Sequence, residues 1–365
     1  MYEKELAALR ASSRFRERVL FSSQLLDFAS NDYLSLSTNQ KLLRKAFKRV
    51  QRLVYHSPKA SMLVNGYSPL HAEFEEYLSA INGFPAGVLF GSGFLANLAL
   101  IESLIRPNDH LFMDADYHAS GKFGARVLGD RVTFFRHNDP EHLRELIAKV
   151  APKGRIIIAI EGVYSMSGRI AKAEFAHIAD SLEALLIVDE AHSSGTIGEH
   201  LLGYFEYHNF PRQHNYIKLG TLSKAYASYG AYVLASREVV AFLENRAKSL
   251  IYTTALSLLD TALAYVNARY IYKHAAKLAL KLSERREIAG RILALGLQSP
   301  IVAYEIPDTK ELLRVAQRLK KEGFLVGAIR KPTVEIPMLR LILRCGNPKK
   351  ELEKLCKLII NERQT

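Results

Sequence analysis

The chain has 365 residues, is 48% hydrophobic and 24% charged, and carries a formal net charge of +13 with two cysteines. That is enough apolar material for a full core and too much length for one typical domain, while no apolar run approaches the roughly 20 residues of a membrane span and Met1–Glu5 lacks the apolar core of a secretory leader. The basic residues are spread along the chain without a base-stacking aromatic pattern, and Cys345 and Cys356 lack metal-ligand spacing, so the reading is cytoplasmic, with no nucleic-acid, membrane or metal partner.

Residues 1–45 read as an arm: a short basic helix from Glu3 to Arg18, then Leu26-Asp27-Phe28-Ala29-Ser30-Asn31-Asp32-Tyr33-Leu34. From about 70 to 245, apolar strands alternate with amphipathic helices, the α/β pattern. Strands are expected over 87–90, 110–113, 155–160, 185–188, 216–219 and 232–234. The pattern then changes. One long helix is expected over 258–293, followed by a smaller α+β segment with a strand over 339–343 and a terminal helix from Lys349. The expected organisation is an arm (1–45), a large mainly parallel-sheet domain (46–245) and a small C-terminal domain (246–365).

The chemistry sits where apolar runs end. Phe90-Gly91-Ser92-Gly93-Phe94 is a strand end, a glycine turn and a helix start, and a helix N-terminus offers free N–H groups to a phosphate. Gly93 and Phe94 are the backbone donors of such a cup. His118, in Asp116-Tyr117-His118-Ala119-Ser120, follows a second strand and is suited to stacking on a planar ring. Ser165, in Glu161-Gly162-Val163-Tyr164-Ser165, follows a third and can bind ring substituents.

Two later motifs are sharper. Val188-Asp189-Glu190-Ala191-His192 brings a carboxylate and an imidazole to the edge of one strand, and Gly220-Thr221-Leu222-Ser223-Lys224 brings a hydroxyl and a lysine to the edge of the next. In parallel sheets that edge binds ligands. A carboxylate that keeps a pyridine protonated and a lysine that forms a Schiff base are what pyridoxal phosphate (PLP) asks of its protein. His192 is then placed for the ring's phenolic oxygen and Thr221 for the phosphate. Asp-Glu-Ala-His also occurs in a class of helicases, but such an ATPase needs a G-x-x-x-x-G-K-[ST] loop, which this chain lacks. A metal site at Asp189, Glu190 and His192 has no second ligand cluster to complete it.

From about residue 5 to 360 the ordered motifs resemble those of the α-oxoamine synthases, within the class-II aminotransferase superfamily. They include Ser30-Asn31-Asp32-Tyr33-Leu34, Asn65-Gly66-Tyr67-Ser68-Pro69-Leu70-His71, His118-Ala119-Ser120, His137-Asn138-Asp139, Asp189-Glu190-Ala191-His192, Lys224 and Ile329-Arg330-Lys331-Pro332-Thr333-Val334. The resemblance implies a fold-type I PLP-dependent transferase that joins an amino acid to an acyl thioester with loss of CO₂. Its nearest pattern is that of members condensing L-alanine with a pimeloyl thioester of CoA or acyl-carrier protein. The alternatives are a sister synthase using glycine, an aminotransferase or lyase without a thioester substrate, and a non-catalytic subunit, against which Lys224 and Asp189 argue.

The resemblance makes Lys224, Asp189 and His118 catalytic. Gly93, Phe94, Ser165, His192 and Thr221 become cofactor contacts, with Thr254 reaching the neighbour's phosphate in a homodimer. It places Asn31, Thr333 and Arg340 at the substrate, with Arg340 on the amino-acid carboxylate, and Arg16 at the acyl group, Arg14 and Arg18 being alternatives in register. Ser35, Met62, Ser167 and Ser257-Leu258 depart from the usual pattern, and the stretch from Thr333 to Arg340 is about two residues short of it.

Overall fold

The computed structural model describes residues 2–12 and 14–362. Its strands are β1 (Leu26–Asp27), β2 (Ala86–Phe90), β3 (His110–Asp114), β4 (Val132–Phe135), β5 (Ile156–Glu161), β6 (Leu185–Asp189), β7 (Tyr216–Thr221), β8 (Ala231–Ala235), β9 (Ile301–Glu305), β10 (Phe324–Leu325), β11 (Gly327–Ile329) and β12 (Met338–Ile342). A seven-stranded sheet runs β2-β8-β7-β6-β5-β3-β4. It is parallel from β7 to β4, and β8 runs antiparallel to both its neighbours.

Both faces of this sheet are covered, which explains its near-continuous apolar strands. Ile158, Ile160 and Val188 point into one core, and their sequence neighbours Ile157, Ala159 and Ile187 into another. Because side chains alternate along a strand, the register decides what meets at the sheet edge. Glu161 pairs with Asp189, and Asp189 with Leu219, so the carboxyl-bearing ends of β5 and β6 lie beside the end of β7.

A second, antiparallel sheet, β11-β12-β9, carries its own core. That core takes in Phe28 from the arm beside Leu339, Leu341 and Leu355. Leu26 and Asp27 pair in parallel with Phe324 and Leu325. The Ile342 N–H donates to the Phe28 carbonyl at 2.8 Å, and the Cys345 N–H to the Tyr33 carbonyl at 2.8 Å. The arm is thus stitched to the end of β12, which carries Asn31 and Tyr33 to the large sheet's functional edge.

Four points of the sequence reading need correction. The arm helix spans Glu3–Ala11 and does not reach Arg18: the Ser12 hydroxyl bonds back to the Ala8 carbonyl at 2.9 Å, and the Arg14 and Phe15 N–H groups both turn back to Leu9. The long helix over 258–293 is two helices, Leu258–Lys273 and Ala275–Leu293, broken at His274. Strand β4 is absent from the sequence reading because it is a four-residue edge strand with only Phe135 fully buried. Residue 45, taken to end the arm, lies inside a helix, Gln40–Val50, that packs on Leu258–Lys273 with Arg49 over the Tyr265 ring at 4.5 Å. Among the described residues no helix is long and apolar enough to cross a membrane.

Candidate active site

Lys224 sits in the turn after β7, and the loop after β6 closes against it. At Gly195, which has φ of +84°, a Cβ would lie 2.2 Å from the Ala225 Cβ, so only glycine allows that approach. The Lys224 Nζ is 2.7 Å from His192 Nε2. Burial lowers the lysine to about 8, against the opposing pull of Asp189 and Glu161. Burial first, then the positive charges of Lys224 and Arg340, holds His192 well below the usual histidine range, so its ring is neutral. On its far side His192 Nδ1 is 2.6 Å from the Tyr33 hydroxyl.

Asp189 ends β6 as a buried carboxylate with two donors. Asn97 gives an N–H to Oδ2 at 2.8 Å, and the Ala191 N–H reaches Oδ1 at 3.0 Å. Asn97 is itself fixed by the Tyr117 hydroxyl at 2.7 Å and gives a second N–H to Ser120 Oγ at 3.0 Å. His118 caps the helix Ala119–Ala125, taking the Ser120 N–H on Nδ1 at 3.2 Å, and burial lowers its pKa against the pull of Asp189. Beside Asp189, Glu161 takes the Ser165 N–H on Oε2 at 2.8 Å, while Oε1 is buried without a hydrogen-bond partner. Burial, and after it the neighbouring Asp189, raise Glu161 well above the usual carboxyl range.

Thr221 ends β7 opposite the helix Gly93–Leu104. Ser92 caps that helix by accepting the Leu95 N–H at 3.3 Å, and a Cβ built on Gly93 would stand 3.9 Å from the Thr221 Cβ. A hydroxyl and a helix N-terminus therefore converge on one small space, as an anion cradle requires. Phe94 is half exposed and packs on Phe123, ring centroids 5.6 Å apart.

Arg340, buried in the middle of β12, donates from Nε to the Ser165 carbonyl at 2.7 Å. It also donates from both terminal nitrogens to Asn31 Oδ1 at 3.2 Å. The arm and the small sheet thereby bring two of the expected substrate-binding residues together. Arg16, Thr333 and Thr254 lie exposed, and among the described residues no hydrogen bond ties their side chains to this cluster. Tyr33, Asn97 and Glu161 join it without having been singled out. A polar residue one helical turn past a strand-end cap was the available signal for Asn97.

Glu190, next to Asp189, faces the other way. It accepts from Ser193 Oγ and the Tyr204 N–H, each at 2.6 Å, and lies 3.5 Å from the buried Lys218 ammonium. Lys218 also donates to the Leu202 carbonyl. The second lysine of this strand is thus tied into the scaffold. Among the described residues no group of three or more His, Cys, Asp or Glu is arranged to hold a metal ion.

The cluster offers a near-neutral amine, a fixed carboxylate, an anion cradle and a guanidinium within one set of strand ends. The family description "Aminotransferase class I and II" matches residues 23–359. An 8-amino-7-oxononanoate synthase of Helicobacter pylori is 49% identical over 99% of this chain and 97% of its own length. The chain belongs to the class I and II aminotransferase family, and within it to the 8-amino-7-oxononanoate synthases. The fold agrees. The crystal structure of a Francisella tularensis 8-amino-7-oxononanoate synthase aligns with a TM-score of 0.80 at 24% identity, covering 94% of this chain and 99% of that one. A structure described as SPT with PLP aligns at 0.86 and 22% identity over 100% and 97%. The architecture is that of the fold-type I PLP transferases.

Proposed function

We propose that this chain condenses L-alanine with a pimeloyl thioester, releasing CO₂ and the free thiol and forming 8-amino-7-oxononanoate, with PLP as its cofactor. The observation that carries the reading is the convergence of Lys224, Asp189, Thr221 and Arg340 at one sheet edge in a chain half identical to such a synthase. The residues fit PLP. The helix N-terminus at Gly93 and the nearby Thr221 hydroxyl suit a phosphate, Asp189 offers a carboxyl group for a ring nitrogen, and the buried Glu161 Oε1 has no hydrogen-bond partner. PLP supplies an aldehyde for the amino group and a protonated ring that takes up the electrons left at Cα.

The protein's part follows from its own groups. Lys224, lowered to about 8, is near neutrality and can take the Cα proton and return it. Arg340 and Asn31 receive the amino-acid carboxylate. Thr221 and the N–H groups of Gly93 and Phe94 hold the phosphate, Ser165 and His192 the ring oxygen, and His118 the ring face. Thr254 lies exposed beside exposed Tyr252, as expected of a residue that serves the site of a second copy in a homodimer. Arg16 is free on the arm to meet an anionic acyl chain. Buried, unpaired Cys345 and Cys356 accord with a reducing, cytoplasmic setting.

The test of the assignment is chemical. Borohydride treatment of the cofactor-loaded protein, followed by peptide mapping, should leave the pyridoxyl group on the peptide containing Lys224. Attachment at Lys218 or any other lysine contradicts it.

A further inference from the structure

Tyr33 is wholly buried, comes from the arm, and lies 159 residues from the histidine it touches. Its hydroxyl is 2.6 Å from His192 Nδ1, and the opposite ring nitrogen is 2.7 Å from Lys224 Nζ. The other oxygen near the Tyr33 hydroxyl, Asn31 Oδ1 at 3.5 Å, already accepts twice from Arg340 at 3.2 Å. The tyrosine proton is therefore directed to His192. Resting on the proposed function, we infer that Tyr33 is a positioning residue that fixes His192 in the tautomer with its proton on Nε2, aimed at Lys224.

The chemistry follows from hydrogen-bond polarity. Burial keeps Tyr33 protonated, with its pKa pushed up to about 12, and His192 is neutral, so the ring has one proton to place. With Nδ1 accepting from Tyr33, that proton must sit on Nε2. An Nε2–H pointing at Nζ is satisfied only by the lone pair of an uncharged amine. The lock therefore favours neutral Lys224, the form that attacks an aldehyde or removes a proton. When the lysine is otherwise engaged, the same N–H is available to an anionic ring oxygen. The other groups facing Lys224 are Asp189 and Glu161 from the ends of β6 and β5, Arg340 from β12 and His118. None of these bonds to His192 Nδ1 in place of Tyr33.

The test uses full-length protein with ¹⁵N-labelled histidine, examined by NMR both cofactor-free and cofactor-loaded. The wild type should show His192 with Nε2 protonated and Nδ1 accepting. Tyr33→Phe, with an unchanged circular dichroism spectrum, should lose that single tautomer. The midpoint for acylation of Lys224 in its cofactor-free form should rise by about one pH unit, roughly tenfold slower modification at neutral pH. A merely structural tyrosine would not move that midpoint. A wild-type His192 protonated on Nδ1 overturns the inference, and so does an unchanged tautomer and midpoint in the variant. If Tyr33→Phe does not fold, the wild-type tautomer alone decides. Borohydride labelling of a different lysine would instead refute the function while leaving the tautomer measurement intact.

Discussion

Two lysines of this strand region make opposite predictions for one reagent. Lys224 is lowered by burial from an ordinary 10.5 to about 8. At pH 7 about a tenth of it is then free amine, against roughly 0.03% for an ordinary lysine, an advantage of about 300-fold in the reactive form. Lys218 is also buried and lowered, but it is held between Glu190 and the Leu202 carbonyl, away from the site. Brief acylation of the cofactor-stripped protein, quantified peptide by peptide across pH, should label Lys224 first, with a midpoint near 8, and spare Lys218 until the protein unfolds. The sign for stability follows by linkage. Between about pH 8 and 10.5 the unfolded chain holds the proton that folded Lys224 has lost, so its burial opposes folding below pH 8 and that opposition fades as pH rises through the window. A midpoint above 10, or labelling no faster than that of surface lysines, would refute the reasoning.

Asp189→Asn should keep the fold and bind cofactor while kcat for thiol release falls about a thousandfold. A unit charge pair at 4 Å and an effective dielectric of 20 is worth about 4 kcal/mol; turnover near wild type removes Asp189 from its role. Glu190→Gln leaves the buried Lys218 charge without its counter-ion, so urea denaturation should show a loss of about 3–5 kcal/mol. Thr254→Ala should weaken cofactor binding in a protein that light scattering shows to be a dimer. A fully active monomer would contradict the shared site.

The sheet and the lysine were readable because both rest on local pattern. Apolar runs of strand length ended repeatedly in chemistry-bearing residues, and the parallel register needed only the order of those runs to bring Asp189 and Lys224 together. What could not be read depends on long-range contact. Tyr33 meets His192 only because the arm is threaded to the end of β12, and Asn97 reaches Asp189 across 92 residues. Glu161 looked like the start of a Ser165 motif, and only the register beside Asp189 explains why its carboxyl is pushed so far up. Glu190 stood inside a chemical motif yet points the other way, as alternation along the extended chain requires. Ser35, noted as standing where glycine is usual, has φ of +55°, the left-handed conformation glycine adopts without strain; here its hydroxyl accepts the Gly346 N–H at 2.8 Å. Arg340 came from resemblance alone, since nothing local distinguishes an arginine in mid-strand.

The central claim is the reaction itself, and thiol release over a grid of amino acids and acyl thioesters tests it most directly. L-alanine with a pimeloyl thioester should be the fastest pair. Glycine should be slower by about 10–200-fold, since one methyl group in an apolar pocket is worth roughly 1–3 kcal/mol. Glycine with a short-chain thioester outrunning alanine with the pimeloyl one would contradict the account, as would release of no thiol from any pair.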